Sequence, residues 1–174
     1  KKQYHDAVLA LTQYPFDALY FTGFKSLDDA QCALMGARAV YDGPVFISLA
    51  PSGEGMFPGG RTLSEGVALC DEYGADVIGV VSDAPAHVLV GFAKEMASAT
   101  DKPLLVDASV RRKDRRQFEP TDENPYPTAD AVVELAVRLR AQGVQFLRAS
   151  GAATPAYTGA LLATVGGGDV VAPQ

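Results

Sequence analysis

Cysteine and histidine are scarce in this chain of 174 residues, which contains two of each. Cys32 and Cys70 stand far apart, and each lies within a helical pattern of apolar residues. Neither a disulfide framework nor a CxxC metal site is therefore expected, and both cysteines are interpreted as small core residues. His5 and His87 are too few to build a metal site. The sequence predicts no bound metal and no cofactor.

Long apolar runs are also missing. No stretch approaches the about 18 consecutive apolar residues that a membrane span requires, and no secretory signal is visible. The formal net charge is −6, which argues against nucleic acid or an anionic membrane surface as the main partner, since both need a basic face. We expect a cytoplasmic protein with an ordinary globular composition.

Short apolar, β-favouring segments recur along the chain. They are continuous rather than alternating, which is typical of strands buried on both faces. The five predicted strands cover residues 18–21, 45–49, 77–81, 104–106 and 144–147.

Amphipathic helical patterns separate these strands. The predicted helices cover residues 4–14, 27–41, 63–73, 85–99, 128–143 and 155–162. Gly43, Gly74 and Gly143 each stand shortly before a strand, as expected of glycines that end a helix. Repeated βα units imply a parallel sheet with helices outside it. The sequence therefore predicts a single α/β domain.

Two loops after predicted strands are unusual. Residues 51–62 are rich in glycine and proline, and residues 108–127 contain a basic cluster at 111–116. The basic cluster is open to two interpretations: a solvated loop, or a clamp for an anionic ligand or an acidic partner surface.

Five βα units allow two architectures. They are too few for a closed eight-stranded barrel, which typically needs about 250 residues, and five parallel strands could instead form an open doubly wound sheet. However, no GxGxxG or GxxxxGK[ST] motif follows any strand. Gly166, Gly167 and Gly168 precede no helical pattern, so residues 164–174 are predicted to form a flexible tail.

An ordered set of segments between about residues 15 and 163 resembles the homocysteine S-methyltransferase family, which includes the homocysteine-binding barrel domain of cobalamin-dependent methionine synthase. The segments are Asp17–Phe21, Ser26–Ala30, Pro44–Ser48, Gly60–Ser64, Gly74–Val80 with Pro85 and His87, Lys102–Val106, and Gly143-Val144 leading to Thr154-Pro155. The resemblance implies strands four to eight of a TIM-like (β/α)₈ barrel, with strands one to three absent from the chain. It also implies a role in methionine biosynthesis.

A partial barrel would leave sheet edges unpaired, which is an aggregation hazard. We therefore expect the missing N-terminal barrel segment, or a second copy of the chain, to act as a partner.

The resemblance also implies where a zinc site would be and shows that its ligands are replaced. In the family, a cysteine after strand six and a cysteine pair after strand eight bind zinc, which activates the homocysteine thiol. Here those positions read Val81-Ser82 and Arg148-Ala149-Ser150-Gly151. The acid expected after strand four is Thr22, and the asparagine after strand seven is Ser109. Zinc-thiolate chemistry is therefore not expected.

Polar residues nevertheless cluster at the predicted strand ends, and we expect them to converge on one mouth that binds a small polar metabolite, with Arg148 facing a carboxylate or phosphate. They are Thr22, Ser48, Ser82, Asp83, Asp107, Ser109, Arg148 and Ser150. The main hypothesis is a divergent family member without zinc chemistry, either binding such a metabolite or non-catalytic. The alternatives are an active methyltransferase with another acceptor, and an interaction module that docks a corrinoid-type protein through the basic loop.

Overall fold

The computed structural model describes residues 1–113 and 116–165. It contains six α-helices: α1 (Lys2–Leu11), α2 (Leu27–Arg38), α3 (Leu63–Glu72), α4 (Ala86–Ala99), α5 (Ala129–Arg140) and α6 (Pro155–Val165). The strands are β1 (Leu19–Phe24), β2 (Val45–Leu49), β3 (Met56–Phe57), β4 (Arg61–Thr62), β5 (Val77–Ser82), β6 (Leu104–Val110) and β7 (Phe146–Gly151).

The main sheet contains the five predicted strands, all parallel, in the order β1-β2-β5-β6-β7. This confirms the predicted α/β architecture with outer helices. Strands β3 and β4 form a small antiparallel hairpin inside the predicted glycine- and proline-rich loop. A turn of 3-10 helix at Pro58–Gly60 joins them.

The sheet is strongly curled into a half-barrel. Phe46 of β2 and Phe146 of β7 meet with ring centroids 5.0 Å apart, although β5 and β6 lie between their strands. We call the face that carries Tyr20, Phe46, Gly79, Leu105 and Phe146 the inner face.

The opposite face packs against the helices and forms the core. Ile47, Ile78, Val80 and Val106 on that face are almost fully buried. They belong to one cluster with helix residues such as Leu34, Leu89 and Leu135. The continuous apolar character of the strands follows from this arrangement, since helices cover one face and the curl shelters the other.

Local sequence accounts for several helix boundaries. Ser26 caps α2 by accepting a hydrogen bond from the amide of Asp29 at 3.3 Å. Thr62 and Glu65 form a reciprocal capping box at the start of α3. Gly74 and Gly143 have φ of 84° and 83°, a backbone conformation that favours glycine, as expected of residues that end a helix.

Several predicted boundaries were wrong. α1 ends at Leu11, α2 at Arg38 and α5 at Arg140, each a few residues before the predicted end, because the chain there tightens into turns. β6 extends to Val110, so Ser109 lies in a strand and the loop starts later than residue 108. α6 continues to Val165, past the predicted start of the tail at residue 164. The rest of that tail, and Asp114 and Arg115 of the basic cluster, lie outside the described residues.

Candidate functional site

The inner face carries most of the predicted site residues. Directly paired residues of parallel strands point to the same side, and positions two apart along a strand share a face. The registers pair Thr22 with Ser48 and Asp107 with Arg148. Six predicted residues share this face: Thr22, Ser48, Asp107, Ser109, Arg148 and Ser150.

Ser82 lies on the other face, away from this group. It pairs with Ala108, whose side chain lines a small apolar space with residues of α5 and α6. The Ser82 hydroxyl instead accepts a hydrogen bond from the amide of Ala84 at 3.1 Å and so shapes the turn into α4. The register of β5 with β6 places Ser82 on the face opposite to the six residues of the inner face. The expectation that all eight converge on one mouth was therefore wrong for Ser82.

Asp83 follows β5 and pairs with the basic loop rather than with the inner face. Its carboxylate accepts a hydrogen bond from the Arg111 guanidinium at 2.7 Å, and both side chains are about half exposed. Arg111 also donates to the backbone carbonyl of Glu123 at 2.7 Å. This pair ties the β5 end to the loop after β6.

Asp107 is the buried acid of the inner face. Its side chain is 1% exposed, and one carboxylate oxygen accepts a hydrogen bond from Arg148 at 2.8 Å. The other oxygen, Oδ1, is buried and makes no hydrogen bond of ordinary length within the described part of the chain, although the Ser150 hydroxyl lies near enough to lower the pKa of Asp107 by hydrogen bonding. Burial raises the pKa of Asp107, and the neighbouring Ser150 and Arg148 side chains counteract that rise.

Three hydroxyl groups form a chain on the β1–β2 side of this face. Tyr20 and Ser48 share a hydrogen bond of 2.9 Å, and Ser48 donates to Thr22 at 3.0 Å. Ser48 is fully buried. The guanidinium carbon of Arg148 lies 5.4 Å from the centre of the Tyr20 ring, within the range of a cation–π contact. Arg148 therefore bridges the acid on β6 to the hydroxyl chain on β1 and β2.

The sequence reasoning missed Tyr20, Phe46 and Phe146. Each stands two residues before a predicted site residue on its strand, so alternation along the strand would have placed them on the same face. Their rings contact across the curled sheet, Phe46 with Phe146 and Tyr20 with Arg148. The contact between Phe46 and Phe146 therefore lies on the inner face nearer the starts of the strands than the polar cluster does.

The cysteines and histidines lie on the outer layer. Cys32 is on α2 and Cys70 is fully buried on α3, where burial raises the pKa of the Cys70 thiol to about 12. His5 is on α1 beside Asp6, and His87 is exposed on α4. Within residues 1–113 and 116–165, no group of three or more His, Cys, Asp or Glu side chains is placed to hold a metal ion.

No helix in the described residues is both long and apolar enough to span a bilayer.

No protein-family model and no curated protein matches the sequence. Solved structures do match the fold. The homocysteine methyltransferase MmuM from Escherichia coli, in its apo form, aligns with a TM-score of 0.71 and 16% identity over 93% of this chain and 56% of that chain. YagE, a prophage protein of the dihydrodipicolinic acid synthase family from E. coli K12, aligns with a TM-score of 0.65 and 16% identity over 96% and 54%.

A dihydrodipicolinate synthase from Acinetobacter baumannii aligns with a TM-score of 0.62 and 15% identity over 96% of this chain and 55% of that chain. The chain spans little more than half the length of these structures. Methyltransferase and synthase barrels match with similar TM-scores, so the likeness establishes the fold and not the activity. The chain has the fold of a partial (β/α)₈ barrel, in which five consecutive parallel strands and their outer helices form a half-barrel.

Proposed function

We propose that this chain is a divergent barrel domain, related to the homocysteine S-methyltransferases, that binds a small carboxylate-bearing metabolite on its inner face without zinc-thiolate chemistry. The observation that carries the proposal is the ion pair between the buried Asp107 carboxylate and the half-exposed Arg148 guanidinium, because it leaves further guanidinium donors on the inner face that solvent can reach.

The two side chains offer complementary groups. Arg148 donates one N–H to Asp107 and has further N–H donors in a planar fork that matches a carboxylate. Arg148 is 46% exposed, so these donors can be reached from solvent. Asp107 holds the Arg148 guanidinium in place, and a small carboxylate-bearing acid can engage the remaining guanidinium donors.

The polar groups of the inner face differ from the ligands of a thiolate-rich zinc site. Its polar groups are one carboxylate, one guanidinium and several hydroxyls, and neutral hydroxyls are poor zinc ligands compared with thiolates. Both cysteines lie on outer helices. These residues do not fit a thiolate-rich zinc site, and we derive no methyl-transfer step through one.

Calorimetric titration with small hydroxy acids, amino acids and dicarboxylates tests the proposal, with the corresponding uncharged amides as ligand controls. We expect carboxylates to bind and amides not to bind. Arg148→Gln should weaken binding at least about tenfold, the loss of roughly one charge-assisted hydrogen bond. Arg138→Gln, an exposed arginine on α5, is the matched control and should leave the affinity unchanged.

Far-ultraviolet circular dichroism must first show that Arg148→Gln is folded. Equal weakening by both arginine variants would contradict a site at Arg148. Absence of binding by every ligand would favour the alternative of a non-catalytic docking domain.

A further inference from the structure

A separate cavity lies outside the inner face, at the junction of the loops that follow β6 and β7. Its volume is about 510 Å³. Three segments line it: residues 110–113 at the end of β6 and just after it, residues 127–129 at the start of α5, and residues between 152 and 157 at the start of α6. The proposed metabolite site does not use these residues.

Three basic side chains line this cavity: Arg111, Arg112 and Lys113. Asp83 neutralises Arg111 through the 2.7 Å ion pair. Arg112 and Lys113 are exposed, and the ammonium of Lys113 lies 5.1 Å from the centre of the Phe118 ring. Asp130 follows residues 127–129 in the first turn of α5, but it does not line the cavity.

Two helices begin at the same cavity. Thr128 is the N-cap of α5, and its side chain makes no capping hydrogen bond. The Thr128 hydroxyl therefore accepts no hydrogen bond from the first backbone amides of α5. Thr154 lines the cavity just before α6, which starts at Pro155. The helices have 12 and 11 residues, long enough for their N-termini to add positive potential.

Two buried tyrosines connect the segments around this cavity through hydrogen bonds. Tyr157, on its wall, donates a hydrogen bond to the carbonyl of Tyr126 at 3.1 Å. Tyr126 in turn donates to the carbonyl of Ala84 at 2.7 Å. Both rings are nearly fully buried. These bonds fix the starts of α5 and α6 relative to β5, so the cavity exists before any ligand binds.

We infer that this cavity is an anion site for a phosphate dianion, either free or as the phosphoryl group of a small metabolite, with Arg112 and Lys113 as its charged contacts and the Thr128 and Thr154 hydroxyls as donors. A phosphate presents several acceptor oxygens, which matches cations, hydroxyls and helix amides that surround one space. The inference is independent of the proposed metabolite site.

Titration of the full chain with inorganic phosphate, and separately with glycerol phosphate, at constant ionic strength tests this inference. We expect both to bind in the presence of excess chloride, with perturbation of the Thr128 and Ala129 amide resonances in NMR spectra. The double variant Arg112→Gln/Lys113→Gln should weaken binding at least about tenfold. Tighter binding of glycerol phosphate than of phosphate identifies a metabolite as the source; equal binding identifies the free ion.

Two controls make the result decisive. Lys25→Gln/Lys94→Gln removes the same charge from exposed lysines after β1 and on α4 and should change the affinity less than twofold. Equal weakening by the two double variants would show a general charge effect and overturn the inference. A larger loss in Arg148→Gln than in the cavity variant would place the phosphate on the inner face and overturn it as well.

Discussion

Asp107 has a carboxyl group that the solvent does not reach, beside a guanidinium that is half exposed. Burial raises its pKa above the usual value, more than the Ser150 and Arg148 side chains lower it. The folded protein therefore holds this proton to a higher pH than the unfolded chain. The native state binds more protons in that window, so this residue's contribution to stability falls as the pH rises through it.

Substitution Asp107→Asn should remove this pH dependence. We expect the free energy of unfolding of the variant to increase relative to that of the wild type as the pH rises from about 3.5 to 7, because the buried charge that forms in the wild type is absent from the variant. Urea unfolding followed by circular dichroism at several pH values measures this difference.

Asp76 provides a control of opposite sign. Burial acts to raise its pKa, but hydrogen bonds from the Val45 amide and Arg38 outweigh it, and the pKa is lowered. Asp76 therefore stabilises the fold above its unfolded pKa and loses that effect as the pH falls. Asp76→Asn should become less stable relative to wild type as the pH rises. The same trend in both variants would contradict the assignment for Asp107.

Arg38 connects secondary structure elements at the end of the sheet opposite the candidate site. From the last turn of α2 it donates to the carbonyl of Gly43 before β2 at 2.7 Å and to the carbonyl of Gly74 after α3 at 2.6 Å. It also donates to the Asp76 carboxylate at 2.6 Å. One guanidinium thus satisfies the carbonyl groups of two helix-to-strand turns, which a smaller donor cannot do.

Arg38→Ala should therefore destabilise the protein by about 2–4 kcal/mol, because two partly buried turns lose their donors together. Arg38→Lys should recover less than half of the loss, since a single ammonium cannot reach the same acceptors. Thermal and urea unfolding measure both.

Arg138→Ala, on the exposed face of α5, should stay within about 0.5 kcal/mol of wild type. Full recovery by lysine would show that charge, and not fork geometry, is the stabilising property.

At the scale of the whole molecule, the main feature is the open edge of the half-barrel. β1 and β7 end the sheet and each pairs with only one strand among the described residues. A cavity of about 270 Å³ runs along the free side of β7, between it and α6. Leu162 and Phe146 on its walls are 69% and 38% exposed. Unpaired, apolar strand edges promote association.

We expect this chain alone to self-associate in solution, or to bind a segment that supplies further barrel strands, through the β7 edge. Light scattering after size exclusion, over a range of concentrations, should give masses above that of one chain. Leu162→Glu should reduce association, because it places a charge in the cavity between β7 and α6 without disturbing the core.

Val137→Glu, at an exposed position on α5, introduces the same charge elsewhere and should not reduce association. A monodisperse monomer at every concentration would contradict the prediction.

Much of the architecture could be predicted from local patterns. Apolar strand segments, helix-ending glycines such as Gly74 and the Ser26 cap predicted the order of the five βα units, because each depends on residues close in sequence. Boundaries such as the end of β6 at Val110 were not predictable, since strand length depends on pairing with β7. The resemblance that predicted a partial barrel matched the fold that the solved structures share.

The sequence by itself determined which residue types stand at the strand ends and that its two cysteines lie within helical segments, because both are matters of spacing along the chain. Only the tertiary structure decided which of those polar residues meet. Register across the sheet separated Ser82 from the others, and the curl brought Arg148 to Tyr20, a residue of the opposite edge strand. Neither the pairing of Asp107 with Arg148 nor the burial of the Asp107 carboxylate could be read from the sequence, because both depend on contacts between residues distant along the chain.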